Sequence, residues 1–457
     1  MKKTIILLLS ITISQTEDFN YHLHLYSINK LSDGGVLKIP FRLADIDFIH
    51  QKDNVSVNSR VSFEYKPKFS NFYLESNSPE EFYIDLRELY MTWYSDNLEF
   101  SVGKQIHVWG SVDQNSPVDN ASPYDYYYIF SMGTEQKMGS LSASINYFKG
   151  DNTFGLVFTP IHHTNRLPIG NDDFPIELPV VAPSYSILKL EDEVELSAYY
   201  KHSFDRGDIS LSYFNGNDRV YNLAGAVWWD IANGAFGKVD TLFTHRKTEI
   251  AGLGATVVSD NISVRMDYGY FHTWDNTSEP VSNRQDLVDA GYQQTGINHL
   301  FKEDAYYDQV TLQLEFEAFD VNSVLGVFNY HIHSYNSDND IPSVDTPGAE
   351  LEFTDSREYF YPGLGAPLAI LTDKAFMYQF QKDVGKENDL VLNMKGVNDL
   401  ENDGYLYEVG FIYNLNGDIK IHSYINKVFG DNTQDDEYRF NQMEDFSHFR
   451  LELEYFF

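Results

Sequence analysis

The chain has 457 residues, with 68 acidic against 33 basic side chains and a formal charge of −35. That balance excludes a nucleic-acid partner, which needs a basic surface, and the absence of cysteine excludes disulfide scaffolds, thiol nucleophiles and thiolate metal sites together. Mean hydropathy is −0.38, so membrane passage is expected through strands with a polar inner face rather than through apolar helices.

Met1-Lys2-Lys3 and the apolar run from Thr4 to Ile13 predict a secretory signal peptide over residues 1–14. The run falls short of the ~20 residues a spanning helix needs. Residues 15–457 are expected to form one domain without a separate plug, since no linker or composition shift divides them.

From there a beat repeats: an alternating run, a tight polar turn, a second alternating run, then a long polar connection. The turns are Lys52-Asp53-Asn54, Ser95-Asp96-Asn97, Gly150-Asp151-Asn152, Asp205-Arg206-Gly207, Ser259-Asp260-Asn261, Asp320-Val321-Asn322, Lys386-Glu387-Asn388 and Asn416-Gly417-Asp418. Asn, Asp and Gly tolerate positive φ and suit hairpins. Strands are predicted over 19–28, 39–50, 55–66, 82–94, 98–109, 135–148, 153–160, 191–204, 207–216, 247–258, 261–271, 305–319, 321–335, 374–384, 388–397, 404–415, 418–429 and 446–457. These predict an all-β fold, a transmembrane antiparallel up-and-down barrel of about 18 strands with short periplasmic turns and long outer loops. Residues 238–246 extend the tenth strand or form their own, which leaves 16 and 20 strands open.

The outer connections are 67–81, 110–134, 161–190, 217–246, 272–304, 336–373 and 430–445. Segments 276–298 and 336–348, rich in Ser, Asn, Asp and Gln, are expected to be mobile. The proline- and aromatic-rich 110–134 and 160–190, the latter carrying Pro160, Pro168, Pro175, Pro179 and Pro183, are expected to fold inward and narrow the lumen.

Side chains alternate across a strand, so giving the apolar parity to lipid leaves the inner wall by subtraction. That wall is predicted to include Arg60, Glu64, Asp85, Arg87, Glu99, Gln105, His107, Glu193, Glu195, Lys201, Arg265 and Asp267. It continues with Glu315, Glu317, His331, His333, Glu408, Lys420, Arg450, Glu452 and Glu454. Lys104 falls on the lipid parity and is expected to snorkel. Opposite charges (Arg87 with Asp85, Arg265 with Asp267, Arg450 with Glu452 and Glu454) are expected to set up a transverse field. Asp113, Asp119, Asp125, His162, His163 and Arg166 are the candidates on the constriction loops.

Residues 87–130 contain Arg87-Glu88-Leu89-Tyr90, Gly103-Lys104-Gln105 running to Trp109-Gly110, and a loop with Asn115-Ser116-Pro117 and Asp119. This pattern resembles bacterial outer-membrane porin-like proteins, including the alginate-export and phosphate-selective groups, with the loop's Asn-Pro interrupted here by Ser116. The resemblance implies a diffusion channel in the outer membrane of a Gram-negative-type bacterium, and homo-oligomers are common among porins. Neither phosphate nor alginate suits a wall this acidic. The plainer reading of the segment is a barrel-folding motif, with Trp109 as a girdle residue where the strand ends.

Asp113, Asp119 and Asp125, spaced by six, do not follow the EF-hand pattern, so turn formation and a solvated rim outweigh Ca²⁺ binding. Adjacent His162 and His163 point apart on a strand, and no His-Glu-x-x-His, Gly-x-Ser-x-Gly or P-loop pattern occurs. No metal, cofactor or enzymatic activity is therefore assigned.

The final run, Phe449 to Phe457, alternates apolar with Arg450, Glu452 and Glu454 up to the terminal aromatic. It resembles the sorting strand read by the outer-membrane assembly machinery, a partner so implied alongside membrane lipid. The function expected is a channel for small hydrophilic solutes with cation preference. Two alternatives stay open: a surface scaffold or adhesion barrel with a loop-filled lumen, motivated by loop aromatics such as Tyr124, Tyr126, Tyr127, Tyr128, Tyr359, Phe360 and Tyr361, and a transporter of hydrophobic ligands.

Overall fold

The computed structural model describes residues 18–66, 82–129, 133–168, 185–190, 192–231, 237–276, 284–342, 353–355, 357, 360–385, 389–435 and 438–456. The predicted signal peptide, connection 67–81, the turn at 386–388, Tyr359, Phe457, and Pro175, Pro179 and Pro183 lie outside the described residues.

Eighteen strands form one sheet. They are β1 (Asp18–Lys30), β2 (Phe41–Lys52), β3 (Val55–Tyr65), β4 (Phe82–Ser95), β5 (Leu98–Gln105) and β6 (Ser140–Lys149). Next come β7 (Asn152–Thr159), β8 (Glu195–Phe204), β9 (Gly207–Asn217), β10 (Lys247–Ser259), β11 (Ile262–Trp274) and β12 (Asp304–Ala318). The last six are β13 (Val321–Asn336), β14 (Lys374–Val384), β15 (Leu390–Asp399), β16 (Tyr405–Asn414), β17 (Ile419–Phe429) and β18 (His448–Phe456). Each pairs antiparallel with the next, and β18 returns to β1 in a register from His22↔Phe456 to Lys30↔His448. The ring is therefore closed and leaves no free edge. In the tight turn between β12 and β13, Phe319 and Asp320 both take a φ of 57°, the geometry that matches strand twist in a two-residue hairpin.

Outside, Leu89, Met91, Trp93, Phe100, Val102, Leu156, Leu211, Leu312, Phe411, Leu451 and Leu453 are exposed around the ring. A contiguous apolar surface on that scale belongs in lipid. Among the described residues no helix is long and apolar enough to cross a membrane.

Several boundaries differ from the sequence-based expectation. The fifth strand ends at Gln105, not 109, and the sixth begins at Ser140, because residues 106–139 leave the wall for the lumen. Residues 238–246 resolve into a separate strand, Lys238–Thr244. It belongs to a four-stranded sheet with Asn222–Ile231, Tyr292–Leu300 and, running parallel to it, Tyr185–Ile187. That sheet buries Val227, Trp229 and Leu242 against Leu287 of a short helix, Gln285–Asp289. Much of 276–298 is thus regular structure rather than the mobile loop its polar composition suggested; the few apolar residues among the polar ones suffice for a second small core.

Candidate functional site: the narrowed lumen

Residues 106–129 and 133–139 lie inside the barrel, reaching from β5 to the facing wall. At the far side Asp267 of β11 accepts from the backbone N–H groups of Ser111 (2.9 Å) and Val112 (3.1 Å) and from the Ser116 hydroxyl (2.8 Å). On β12, Gln313 accepts from the Asp113 N–H (3.1 Å), and Thr311 donates to the Asn115 carbonyl (2.7 Å). Backbone amides that would otherwise be stranded away from water thus find partners on the wall.

At the near side the chain returns past β2, β3 and β4 and presents Glu135 to three arginines. Its carboxylate lies 2.5 Å from Arg42, 2.9 Å from Arg87 and 3.5 Å from Arg60. The register between β3 and β4 shifts at Arg87, which lets Arg87 and Glu88 both point inward. Burial alone would raise the Glu135 pKa, but the guanidiniums of Arg87, Arg42 and Arg60 together hold it below the usual 4.5. Two residues on, Lys137 is buried with its ammonium 3.3 Å from the Tyr124 ring centroid and 2.6 Å from the Asp119 carbonyl. Burial pulls its pKa from 10.5 to about 7.

Three further segments join the crossing. Arg166 binds Glu64 of β3 (2.8 Å) and Asp125 (3.2 Å). Arg219 binds Glu195 of β8 (2.7 Å) and the carbonyls of Asn120 (3.0 Å) and His163 (2.5 Å). Residues 360–371 bring Phe360, Leu364, Leu368, Ile370 and Leu371 into a buried cluster with Phe271, Tyr307, Phe328 and Tyr330 of the inner wall. Asn115 and Asn120 tie this segment down by accepting from the Leu368 and Gly365 N–H groups, each at 2.8 Å.

Among the described residues a pocket opens between Asn115, Leu368 and Met377, and two charged cavities lie on opposite walls. One, of about 310 Å³, lies between Glu135 and the β18–β1–β2–β3 wall and is lined by His22, His24, Asp45, Asp47, Arg42, Arg60, Tyr26, Tyr128 and Glu454. The other, of about 250 Å³, is lined by Trp109, Gly110, Ser111, Lys201, Asp208, Ser210, Thr256 and Arg265.

Most of the expected inner residues take inward positions. Glu64, Arg87, Gln105, Glu195, Asp267, Glu408 and Glu452 are buried. Lys201 pairs with Asp208 (3.0 Å), and His107 contacts the Ser142 hydroxyl (2.9 Å). Glu454 sits 3.0 Å from His422, and Lys420 sits over the Phe456 ring. Glu99 and Glu193 are partly buried, Glu193 lying just before β8, while Glu317 is exposed near the short-turn end. Asp85 lies 3.6 Å from Lys104, so Lys104 finds a carboxylate rather than lipid headgroups.

Other expectations need correction. His331 and His333 face outward: His333 bonds Asp308 (2.9 Å) and its ring lies beside Tyr270, while the alternate residues Phe328 and Tyr330 are buried inside. Apolar parity stops meaning lipid parity where the lumen itself is packed with apolar loop. The expected same-strand charge pairs are replaced by cross-strand and loop partners: Arg87 takes Glu135, Arg265 takes Asp113 and Glu315, and Arg450 takes Glu408. Residues two apart on a strand stand side by side, whereas a facing strand or loop can bring a carboxylate head-on. Trp109 is no girdle residue; its indole N–H donates inward to the Val118 carbonyl (2.8 Å). Asp113, Asp119 and Asp125 each serve different partners and do not converge: Asp119 accepts from the Trp109 and Gly110 N–H groups (2.7 Å each), and Asp125 caps a turn of 3-10 helix at Tyr126–Tyr128. His162 bonds Glu195 (2.7 Å). The sequence reading singled out Phe360 and Tyr361 as loop aromatics but missed Arg42, Glu135, Arg219 and residues 362–371.

A closed antiparallel barrel with an apolar belt and loops folded into its lumen has the architecture of a membrane β-barrel. No family model and no curated protein matches the chain. Solved structures do. OccAB1 of Acinetobacter baumannii has a TM-score of 0.50 at 10% identity, over 96% of each chain. OpdK of Pseudomonas aeruginosa scores 0.47 at 10% identity over 97% of this chain and 99% of that one, and OccAB4 of A. baumannii 0.48 at 10% over 98% and 100%. At 10% identity the match to OccAB1 is a likeness of fold.

Proposed function

We propose that the protein is an outer-membrane channel for small hydrophilic solutes, narrowed by the crossing loop 106–139 with help from residues 162–168. The observation that carries the reading is that loop, fixed to Glu135's arginines on one wall and to Asp267 on the other, with a charged cavity left at each side. A lumen dressed with ionic groups at this density is built for water and hydrated solutes. Cation preference is supported by the larger cavity, where Asp45, Asp47, Glu135 and Glu454 outnumber Arg42 and Arg60, and by the formal charge of −35. The inner set named above, from Arg60 to Glu454 without His331 and His333, then lines the path.

Purified protein in planar bilayers is expected to give stepwise conductance with a cation-favouring reversal potential, and deletion of residues 110–134 to enlarge the steps several-fold. A silent or anion-selective barrel overturns the reading. The apolar cluster around residues 360–371 favours a second one, a scaffold whose filled lumen supports partner-binding loops. A barrel silent both intact and with 110–134 deleted selects it.

A further inference from the structure

We propose that the inner wall at the β1–β18 seam binds a divalent transition-metal ion of the Zn²⁺ class through His22, His24 and Glu454. One candidate ligand atom from each residue lies within 4.8 Å of the other two. The strands enforce the grouping. His22 and His24 are two apart on β1 and share its inner face, and Glu454 is the direct cross-strand partner of His24 on β18. The sequence hides this trio because its members sit at opposite ends of the chain.

The local bonding leaves the right atoms free. His24 Nδ1 lies 2.8 Å from Glu452 Oε1, and a proton donated there leaves the lone pair on Nε2, the arrangement by which a carboxylate orients a metal-binding imidazole. His422 Nε2 occupies Glu454 Oε2 at 3.0 Å, so Oε1 remains for an ion. His22 Nδ1 stands 3.9 Å from that Oε1, too long for a hydrogen bond. Two ligands at tetrahedral positions, each ~2.0–2.1 Å from one zinc, lie roughly 3.3 Å apart, so a small side-chain movement suffices. Two imidazoles and one carboxylate favour Zn²⁺ and its transition-metal neighbours over Ca²⁺ or Mg²⁺, which prefer all-oxygen shells. His22, His24 and Glu454 also line the larger cavity, which gives an ion an entry path and water for its remaining position.

The test uses the whole barrel in detergent, stripped with chelator and titrated calorimetrically with ZnCl₂. One saturable site is expected, with CaCl₂ giving none. His24→Gln and Glu454→Gln should each weaken binding by tenfold or more, and Glu452→Gln, which only positions His24, by about 10–100-fold. A His331→Gln/His333→Gln control, on the outer face, should bind as the parent does. X-ray absorption of the zinc-loaded parent should show two imidazole nitrogens at ~2.0–2.1 Å, a readout independent of whether any variant folds. Absence of saturable binding, an all-oxygen shell, or undiminished binding in folded His24→Gln/Glu454→Gln protein overturns the proposal.

Discussion

The two walls of this barrel hold the same inward loops by opposite physics. Along β1–β4 and β16–β18 the contact is ionic: Arg42, Arg60 and Arg87 converge on Glu135, Arg166 spans Glu64 and Asp125, and a cavity stays beside them. Along β11–β14 it is chiefly apolar: Phe271, Tyr307, Phe328 and Ala375 are fully buried against residues 360–371. The ionic side is directional and wet, and its attraction is screened where water enters. The apolar side buries side chain against side chain, so its energy lies in area and shape. In the proposed channel one wall would serve passage while the other supplies anchorage.

Four perturbations test that contrast. Phe328→Ala on the apolar wall should cost about 3–5 kcal/mol, read as a lowered denaturant midpoint for the detergent-solubilised barrel, because a close-packed site collapses poorly around a cavity. Glu135→Gln on the ionic wall should cost only about 1 kcal/mol, since the carboxylate is half exposed and screened. Its main effect should be a reversal potential moved toward anions as three guanidiniums lose their counter-charge; an unmoved potential would remove Glu135 from the path.

The third is a pH profile of the unfolding midpoint. The Glu135 pKa in the folded protein lies below 4.5, so its contribution should hold from pH 8 to 5 and fade as pH drops through the folded value below 4.5. Lys137 works in the other direction. It titrates near 7 when folded against 10.5 when unfolded, so the unfolded chain binds the extra proton between those values and stability should rise across that window. Glu135→Gln should erase the acid step and Lys137→Met the alkaline rise. The smallest effect belongs to His331→Ala with His333→Ala: within about 0.5 kcal/mol and without change in conductance, as outward-facing residues allow.

Much of the barrel was legible in the chain because period-two alternation and Asn/Asp/Gly turns are local signals. Seven of the eight short turns join the paired strands they were expected to join, the eighth, at 386–388, lying outside the described residues. Parity also put Arg60, Glu64, Arg265 and Glu452 on the inner face, where they meet Asp47, Arg166, Asp113 and His24. It failed at β13, where Phe328 and Tyr330 are inside, because the sequence does not say that a distant apolar loop will fill the space before them. It failed again at Trp109 and Glu135, whose positions depend on where a long loop turns. Those turns are fixed by contacts such as Asp113 with Gln313, 200 residues apart.

The His24–Glu452 bond joins residues separated by 428 positions, whereas every other neighbouring pair in the ring links successive barrel strands, some with a strand of a smaller sheet between them in the chain. Hairpins of low sequence separation can therefore zip early, but this row has to wait until both chain ends have been brought together. Until then β1 and β18 are exposed edges, open to wrong partners. The price of ring closure falls on a single row of nine residue pairs, which makes that row the place where assembly is completed and where opening should begin.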